Sequence, residues 1–374
     1  MAICILVPSF LENDAIGNDV CHQWRVLRER RIPTFIYAEE VMNVSMRPYC
    51  IDTNQLLSLI KDPETIVIYH HGGCWHRGME ILEKVQCKLF IKYHNITPPH
   101  FFSPYNAAYE KYCTDGVLQT SSILGLKKET VFLCDSSYNA SDLAALNGDA
   151  SKMLIVPPFH KLDDFKEAGI DIPLAQNLQD GKVNLLFVGR LVPNKGHRRL
   201  IDVIARYVRM YDADIRLNIV GGIDPALNLY ALELQEAIDQ NGLHDIVWLR
   251  GGVSFDTLHT YYQFSHLFLV MSAHEGFCIP VLEAQYHSLP VICWDRGAVK
   301  ETVGRNQIVF EENDERYFAA AIRVVSQNIE ISSYLTTNGH DNIRRFSNQR
   351  IEGIFLNALG LVKDNDAGCG RQIA

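Results

Sequence analysis

The sequence lacks any apolar run approaching the roughly 18 residues that cross a bilayer, and it lacks an excess of basic charge. Its 374 residues carry 35 Lys and Arg against 44 Asp and Glu, a formal net charge of −9. This balance argues against wholesale binding to nucleic acid. The N-terminus also lacks a basic region ahead of its apolar stretch, so we expect a first β-strand there rather than a signal peptide. These absences predict a cytoplasmic protein.

The ten cysteines contain no C-x-x-C pair. In a chain of this length, such scattered cysteines indicate buried thiols in a reducing compartment. The densest group of metal-ligand residue types is His70, His71, Cys74 and His76. We interpret it as a strand end followed by a Gly-Gly loop, and a zinc site is the alternative.

What the sequence does contain is an alternation of short apolar strands with longer helical segments. Hydrophobic residues make up 47% and charged residues 21% of the chain, as in globular proteins, and the length suits two domains. The first half alternates up to about Val156, and the second half repeats the scheme from Asn184. This alternation predicts parallel sheets with helices on both faces.

A first motif joins a strand to a helix through a basic loop. The apolar run from Leu185 to Gly189 predicts a strand, and the loop from Arg190 to Gly196 leads into a helical pattern. Such strand–loop–helix units form phosphate sites at the carboxyl edge of α/β sheets. Arg190 offers a planar fork for phosphate oxygens and Lys195 a compact charge. We interpret this loop as a diphosphate site.

A second motif places two acids beside another strand end. The apolar run from His266 to Met271 predicts a buried strand, and Pro280 suits the first turn of the helix after it. Glu275 then falls in the loop and Glu283 near the helix start. Carboxylates do not hold phosphate, but they accept hydrogen bonds from sugar and ribose hydroxyls. The two motifs together indicate a ligand that carries phosphate and sugar.

The pair of motifs resembles retaining glycosyltransferases of family four, which have the GT-B fold. The pattern of that family is G-R-x-x-x-x-K-G, present from Gly189 to Gly196, followed by two glutamates separated by seven residues, present as Glu275 and Glu283. The resemblance covers roughly residues 183–305.

The resemblance implies an α/β GT-B fold with two Rossmann-like, doubly wound domains facing a central cleft. We expect an acceptor-binding domain at residues 1–175 and a nucleotide-sugar-binding domain at residues 176–345. Residues 346–374 would form a helix that crosses back to the first domain, followed by a loose tail.

The resemblance also implies roles for individual residues. Arg190 and Lys195 would stabilise the leaving diphosphate, so we expect neither a metal nor another cofactor. Glu275 would hold hydroxyls of the transferred sugar and Glu283 those of the ribose, with the base near Val253. The donor-binding residues expected in the second domain are Arg190, Lys195, Val253, Glu275, Gly276, Phe277, Cys278 and Glu283.

Two residues of the first domain complete the predicted site. Gly17 lies in the turn after the first strand, where a glycine lets the backbone approach a ligand; a plain solvated turn is the alternative. His94 follows the strand from Lys88 to Tyr93 in the run H-N-I-T-P-P. The resemblance makes His94, with Glu275, Arg190 and Lys195, a catalytic residue, and a structural histidine is the alternative.

We therefore expect a retaining, metal-independent hexosyltransferase that moves a hexose from a nucleotide-diphosphate sugar, GDP-mannose first, to a glycan or lipid-linked acceptor in cell-surface polysaccharide synthesis. The alternatives are an epimerase or phosphorylase of the same fold and a non-catalytic sugar-nucleotide sensor. The basic stretch from Trp24 to Arg31 is typical of a solvated helix face. Its alternative is peripheral contact with the inner face of an anionic membrane.

Overall fold

The computed structural model describes residues 1–12, 14–126 and 129–361, and these form two compact units. The N-terminal unit comprises the described residues of the ranges 1–98, 111–160 and 346–361. The C-terminal unit comprises residues 99–110 and 161–345. The described part of the last segment, which was expected to cross back to the first domain, thus groups with the N-terminal unit.

The N-terminal unit is built on a six-stranded parallel sheet with strand order β2-β1-β3-β4-β5-β6. Helices connect the successive strands, and a last helix follows from the end of the chain. The elements are β1 Ile3–Phe10, α1 Ala15–Glu29, β2 Thr34–Val41, α2 Thr53–Leu59, β3 Ile66–His71, α3 His76–Lys84, β4 Lys88–Tyr93, α4 Ala107–Leu124, β5 Thr130–Cys134, α5 Ser137–Ala145 and β6 Met153–Ile155, with α14 Asn348–Ala358 at the end.

The C-terminal unit has a second six-stranded parallel sheet, ordered β12-β11-β10-β7-β8-β9. This order is that of a dinucleotide-binding Rossmann sheet. Its elements are α6 Ile172–Leu178, β7 Val183–Val188, α7 His197–Met210, β8 Ile215–Val220, α8 Asn228–Gln240, β9 Val247–Gly251, α9 Phe255–Gln263, β10 Leu267–Val270, α10 Ile279–Tyr286, β11 Val291–Trp294, α11 Val299–Val303, β12 Ile308–Phe310, α12 Glu315–Gln327 and α13 Ile329–Ile343.

The sheet of the C-terminal unit buries a separate apolar cluster on each face. Leu185 packs into the cluster that contains residues of α7, α8 and α12, whereas the next residue, Leu186, packs into the cluster formed with α9, α10 and α11. Successive side chains of a strand point to opposite faces, so near-continuous apolar strands are needed when both faces are covered. The predicted doubly wound arrangement is confirmed here.

Helix α1 begins at Ala15, because the side chain of Asp14 accepts hydrogen bonds from the first-turn N–H groups and caps the helix. The structure differs from the sequence prediction near the C-terminus. Helix α13 was not predicted. Its sequence contains Asn338-Gly339 and several β-branched residues, which have low helix propensity. Burial of Leu335 and Gly339 shows that tertiary packing overrides that propensity.

Within the described residues, no helix combines the length and the apolar composition that a bilayer crossing requires.

Gly221 allows two loops at the carboxyl edge of the C-terminal sheet to meet. A Cβ atom on Gly221 would lie 1.9 Å from the carbonyl oxygen of Gly189, whereas a Cβ on the adjacent Gly222 would meet no atom within 4 Å. We predict that Gly221→Ala lowers the free energy of unfolding by about 2 kcal/mol, since backbone has to move. Thermal unfolding measures this. Gly222→Ala is the matched control, and equal melting temperatures for the two variants would contradict the argument.

Candidate functional site

Two loops of the C-terminal unit meet at the point where its strand order reverses. From β7 the chain continues to β8 and β9 on one side, and then to β10, β11 and β12 on the other. Ligands of such sheets bind at this reversal, beside the carboxyl ends of the strands. Lys195 follows β7 and Glu275 follows β10. The Lys195 ammonium lies 2.8 Å from Oε1 and 2.7 Å from Oε2 of Glu275, so one predicted cation and one predicted acid come together.

Hydrogen bonds through Asn194 fix the two loops to each other. The side-chain amide of Asn194 donates to the carbonyl of His274 at 3.2 Å, and the N–H of Ala273 donates to the carbonyl of Asn194 at 2.8 Å. Gly196 adopts a left-handed φ of 73°, and a Cβ there would lie 2.0 Å from the carbonyl oxygen of Met271. Residue 196 must therefore be a glycine, because the neighbouring loop leaves no room for a Cβ atom. These contacts hold Lys195 in place in the absence of a ligand.

The backbone around Glu275 is equally constrained. Its carbonyl accepts a hydrogen bond from the N–H of Ala298 at 2.9 Å, and a Cβ on Gly297 would lie 2.4 Å from the same oxygen. The Thr302 hydroxyl donates to the carbonyl of Phe277. Only 7% of the Glu275 side chain is exposed. This carboxylate is thus a nearly buried group on a rigid loop, with Lys195 as its counter-ion.

Helix α10 begins directly after this loop, as the sequence predicts, with Pro280 in its first turn. The residue before the helix, Cys278, has a left-handed φ of 78°, which is uncommon for a residue with a side chain. Burial raises the pKa of its thiol well above the ordinary value, with the charge of Glu275 adding to the effect. Cys278 is therefore a neutral thiol beside Glu275.

Glu283 is the fifth residue of α10, so it lies near the helix start, as the sequence predicts, but outside the first turn. Its Oε2 accepts a hydrogen bond of 2.7 Å from the hydroxyl of Tyr262, a fully buried residue of α9. Burial raises the pKa of the Glu283 carboxyl, and the bond from Tyr262 opposes that shift. The sequence did not reveal Tyr262 as a partner, because Tyr262 belongs to the separate helix α9 and no local pattern connects it to Glu283.

Arg190 is exposed at the start of the basic loop. Among the residues that the structure describes, it contacts neither Glu275 nor Glu283. Its charge acts instead on Asp224: the pKa of that carboxyl is lowered mainly by a hydrogen bond from Tyr109, with Arg190 as a smaller cause. The structure therefore does not bring Arg190 together with the two acids.

Val253 lies in the loop after β9, at the same carboxyl edge as the basic loop. The next residue, Ser254, caps α9 by accepting a hydrogen bond of 3.2 Å from the N–H of Thr257. Strand β9 is two strands away from β7 in the sheet. Val253, predicted to lie near the nucleotide base, and the basic loop, predicted to bind the diphosphate, thus lie at the same edge of one sheet.

Gly17 lies in the first turn of α1, where its N–H donates to the Asp14 carboxylate at 3.4 Å. A Cβ on Gly17 would lie 2.4 Å from the carbonyl oxygen of Leu11. This close approach of two backbone segments explains the glycine without a ligand. Its role in donor binding stays a prediction.

His94 begins the loop after β4 and is part of a buried polar network in the N-terminal unit. Its Nδ1 lies 2.9 Å from Oδ2 of Asp135, and its Nε2 lies 2.8 Å from Nδ1 of His70. On the far side of Asp135, the ammonium of Lys92 lies 2.5 Å from Oδ1. Only 7% of the His94 side chain is exposed. The predicted catalytic histidine is therefore engaged at both ring nitrogens.

The partners of His94 were missed by sequence reasoning, although two signals were present. Lys92 is a charged residue inside strand β4, whose only other charged residue is Lys88 at its start, and Asp135 directly follows β5 at the edge where ligands bind. A charge inside a fully covered strand needs a buried partner. That need would have linked Lys92 to an acid at the end of a neighbouring strand.

The four residues considered for zinc are not gathered at one point. Nε2 of His71 pairs with the hydroxyl of Thr120 at 2.8 Å, while His70 belongs to the His94 network. Two groups of three metal-ligand side chains occur among the described residues, with the ligand atoms of each group within 4.8 Å. They are Asp19, His70 and His94, and Cys74, His76 and Asp115.

A cavity of about 560 Å³ lies beside the basic loop in the C-terminal unit. Pro193 and Gly196 line it, together with Arg198, Arg199 and the aromatic ring of Tyr105. Neither the Lys195–Glu275 pair nor Glu283 is among the described residues that line it. The cavity and the ion pair are thus adjacent but separate features of the same unit.

Comparison with known proteins supports the interpretation of this unit. Residues 182–328 match the protein family described as glycosyl transferases group 1. The chain is 30% identical over 140 residues to a component of the phosphatidylinositol N-acetylglucosaminyltransferase of Arabidopsis thaliana, a match that covers 37% of this chain and 30% of that protein. It is 27% identical over 172 residues to the MMP alpha-(1->4)-mannosyltransferase of Mycolicibacterium hassiacum, which covers 45% of this chain and 38% of that protein. The chain thus spans less than half the length of either relative.

The fold extends over the whole described chain. The crystal structure of Anabaena HepE in complex with UDP and glucose superposes with a TM-score of 0.73, covering 97% of this chain and 100% of that chain at 16% identity. The chain therefore has the GT-B fold, and its residues 182–328 match the group 1 glycosyltransferases, in agreement with the resemblance to family four.

Proposed function

We propose that the chain is a retaining hexosyltransferase that takes a hexose from a nucleotide-diphosphate sugar and transfers it to a glycan or lipid-linked acceptor in cell-surface polysaccharide synthesis. The observation that carries this proposal is the Lys195–Glu275 pair at the strand reversal of a Rossmann sheet. A cation and an acid fixed side by side match the two ends of the bond that breaks: a phosphate leaving group and a sugar.

Lys195 supplies positive charge to the leaving diphosphate. An ammonium group has three N–H donors, and Glu275 accepts from it with both carboxylate oxygens. One donor remains for a phosphate oxygen. Preorganised charge aimed at a group that becomes more negative is usually the largest catalytic contribution. Arg190 is the first residue of the same loop. The positive charges of Lys195 and Arg190 would do the work of a divalent metal, so we propose metal-independent transfer.

The two glutamates hold the neutral parts of the donor. Glu275 accepts hydrogen bonds from hydroxyls of the transferred sugar, assisted by N–H groups from Gly276 to Cys278. Glu283 has one oxygen engaged by Tyr262, which orients the carboxylate and leaves Oε1 for a ribose hydroxyl. The base lies near Val253. His94 acts from the N-terminal unit as the proposed catalytic histidine.

The donor remains to be chosen among several sugar nucleotides. The mannosyltransferase relative favours a mannose donor, whereas HepE was crystallised with UDP and glucose and the Arabidopsis relative is named for N-acetylglucosamine transfer. We retain GDP-mannose as the first donor to test, followed by UDP-glucose and UDP-N-acetylglucosamine. Transfer is proposed to occur by attack on the same face as the leaving group, with the leaving phosphate taking the acceptor proton.

Donor hydrolysis and thermal stability, measured over a panel of GDP and UDP sugars with and without a chelator, test the proposal. We expect the protein to hydrolyse one donor slowly. At hundredfold excess over its Kd, that donor should stabilise the protein by about 3 kcal/mol. The chelator should change neither the hydrolysis rate nor the stabilisation. Tight binding without turnover would contradict the proposal in favour of a sensor. Conversion of the donor to its epimer would contradict it in favour of an epimerase.

Removing the ammonium group tests the role of Lys195. We predict that Lys195→Ala and Lys195→Gln raise the barrier by about 2–4 kcal/mol, a loss in kcat of roughly 30- to 1,000-fold. Lys300→Ala is the matched control, since Lys300 belongs to the same unit and pairs with Asp295 at the surface. Steady-state hydrolysis of the identified donor measures the effect. Folded Lys195 variants with the activity of Lys300→Ala would rule out the assigned role.

The ribose contact is tested by pairing protein and ligand changes. We predict that wild-type protein binds the identified donor about tenfold or more tightly than its 2′- or 3′-deoxyribose analogue, because the hydrogen bond involves a charged group. Glu283→Gln and Tyr262→Phe should reduce that preference, as titration calorimetry would show. Tyr261→Phe is the control, being an adjacent buried tyrosine. An undiminished ribose preference in Glu283→Gln would exclude this contact.

A further inference from the structure

An unbroken chain of hydrogen-bonding side chains runs through the N-terminal unit from Asp19 to Asp135. Asp19 accepts from the Gln23 amide at 2.9 Å, and the Gln23 Oε1 lies 3.2 Å from Nε2 of His70. His70 then meets His94 at 2.8 Å, and His94 meets Asp135 at 2.9 Å. Asp19, Gln23, His70 and Asp135 are all buried, so water does not decide where the protons of this chain lie.

Asp19 sets the donor-to-acceptor direction of this hydrogen-bond chain. The carboxylate of Asp19 accepts hydrogen bonds from the N–H of Phe159 at 2.9 Å and from Nε2 of Gln23. The Gln23 amide therefore presents its oxygen to His70. A carbonyl oxygen only accepts, so Nε2 of His70 carries a proton.

His70 then fixes one nitrogen of His94. Burial lowers the pKa of His70 well below its ordinary value, and the charges of His94 and Lys92 lower it further. His70 is therefore neutral and has a single N–H, which it donates to Gln23. Its Nδ1 is an acceptor, and the 2.8 Å contact requires a proton on Nε2 of His94.

Asp135 fixes the other nitrogen. The ammonium of Lys92 lies 2.5 Å from its Oδ1, and this ion pair keeps the carboxyl ionised although burial opposes ionisation. An ionised carboxylate only accepts. The 2.9 Å contact with Nδ1 of His94 therefore requires a second ring proton.

We propose that His94 is an imidazolium, with a proton on each ring nitrogen, held in that state by Asp19, Gln23, His70 and Asp135 as positioning residues. The charges balance within the network: Lys92 and His94 are positive, and Asp19 and Asp135 are negative. Buried charges are tolerated when they are paired and hydrogen-bonded in this way. Strands β3 and β4, the end of β5 and helix α1 each contribute at least one member.

This state changes what His94 offers to a ligand at the strand edge. Both nitrogens are already bonded within the unit, so the residue provides a fixed positive charge instead of a general acid or base. The inference goes beyond the proposed transferase activity and does not depend on it, since it concerns the N-terminal unit alone.

A competing arrangement has the same number of protons. If Asp19 holds a proton, it donates to the Gln23 oxygen, the amide is reversed, and its NH₂ group donates to Nε2 of His70. His70 then carries its proton on Nδ1 and donates to a neutral His94. Burial raises the pKa of the Asp19 carboxyl, which favours this arrangement, while the direction of the Gln23 amide favours the proposed one.

Nitrogen NMR of the full chain, labelled with ¹⁵N in the histidine rings, distinguishes the two arrangements. The signals of His94 are assigned by their loss in His94→Gln. For the wild-type protein near neutral pH we expect both His94 nitrogens in the protonated range and His70 as a neutral ring protonated on Nε2. An unprotonated Nε2 on His94 would overturn the proposal.

Asp19→Asn imposes the competing arrangement without changing the size of the side chain. The asparagine Oδ1 still accepts from Phe159, but its amide donates to Gln23, which must turn its oxygen toward residue 19. We expect Nε2 of His94 to move to the unprotonated range while Nδ1 stays protonated. Asp142→Asn is the control, because Asp142 bonds the hydroxyl of Tyr93 outside the network and should leave His94 unchanged. Unaltered His94 signals in a folded Asp19→Asn variant would contradict the role of Asp19.

Discussion

The ion pair between Lys195 and Glu275 is the interaction on which this account depends. It joins the loops that follow two neighbouring parallel strands, at the place where the strand order of a Rossmann sheet reverses. Each partner is the other's counter-ion in a nearly buried environment, where a single unpaired charge would be costly. The surrounding backbone contacts, including the glycine at 196 against Met271, keep the pair in position before a donor binds.

The same principle shapes the N-terminal unit, with a different outcome. There the charged side chains find their partners inside the unit: Lys92 and His94 contact Asp135, and Asp19 accepts from Gln23 and from the N–H of Phe159. Among the described residues, the Lys195 ammonium has hydrogen bonds only to Glu275 and the Glu283 carboxylate only to Tyr262, while Arg190 is exposed. The C-terminal unit therefore presents groups that can form hydrogen bonds to a ligand. The N-terminal unit presents the proposed positive charge of His94, which its buried neighbours hold in place.

The sequence predicted the elements that local pattern determines. The strand Lys88–Tyr93 has the predicted bounds, because it is a short run with clear boundaries. The proximity of Lys195 and Glu275 was predictable as well, since both follow strands of one parallel sheet. Helix α13 was not, because packing rather than propensity stabilises it. The partners Tyr262 of Glu283 and Gln23 of His70 come from distant helices, and no local pattern in one sequence connects them.

A crystal structure of the full chain with an intact nucleotide-diphosphate sugar tests the central claim most directly. The account predicts that an oxygen of the diphosphate lies within hydrogen-bond distance of the Lys195 ammonium, and that hydroxyls of the sugar contact Glu275. A diphosphate bound instead in the neighbouring cavity, against Arg198 and Arg199 and away from Lys195, would contradict it.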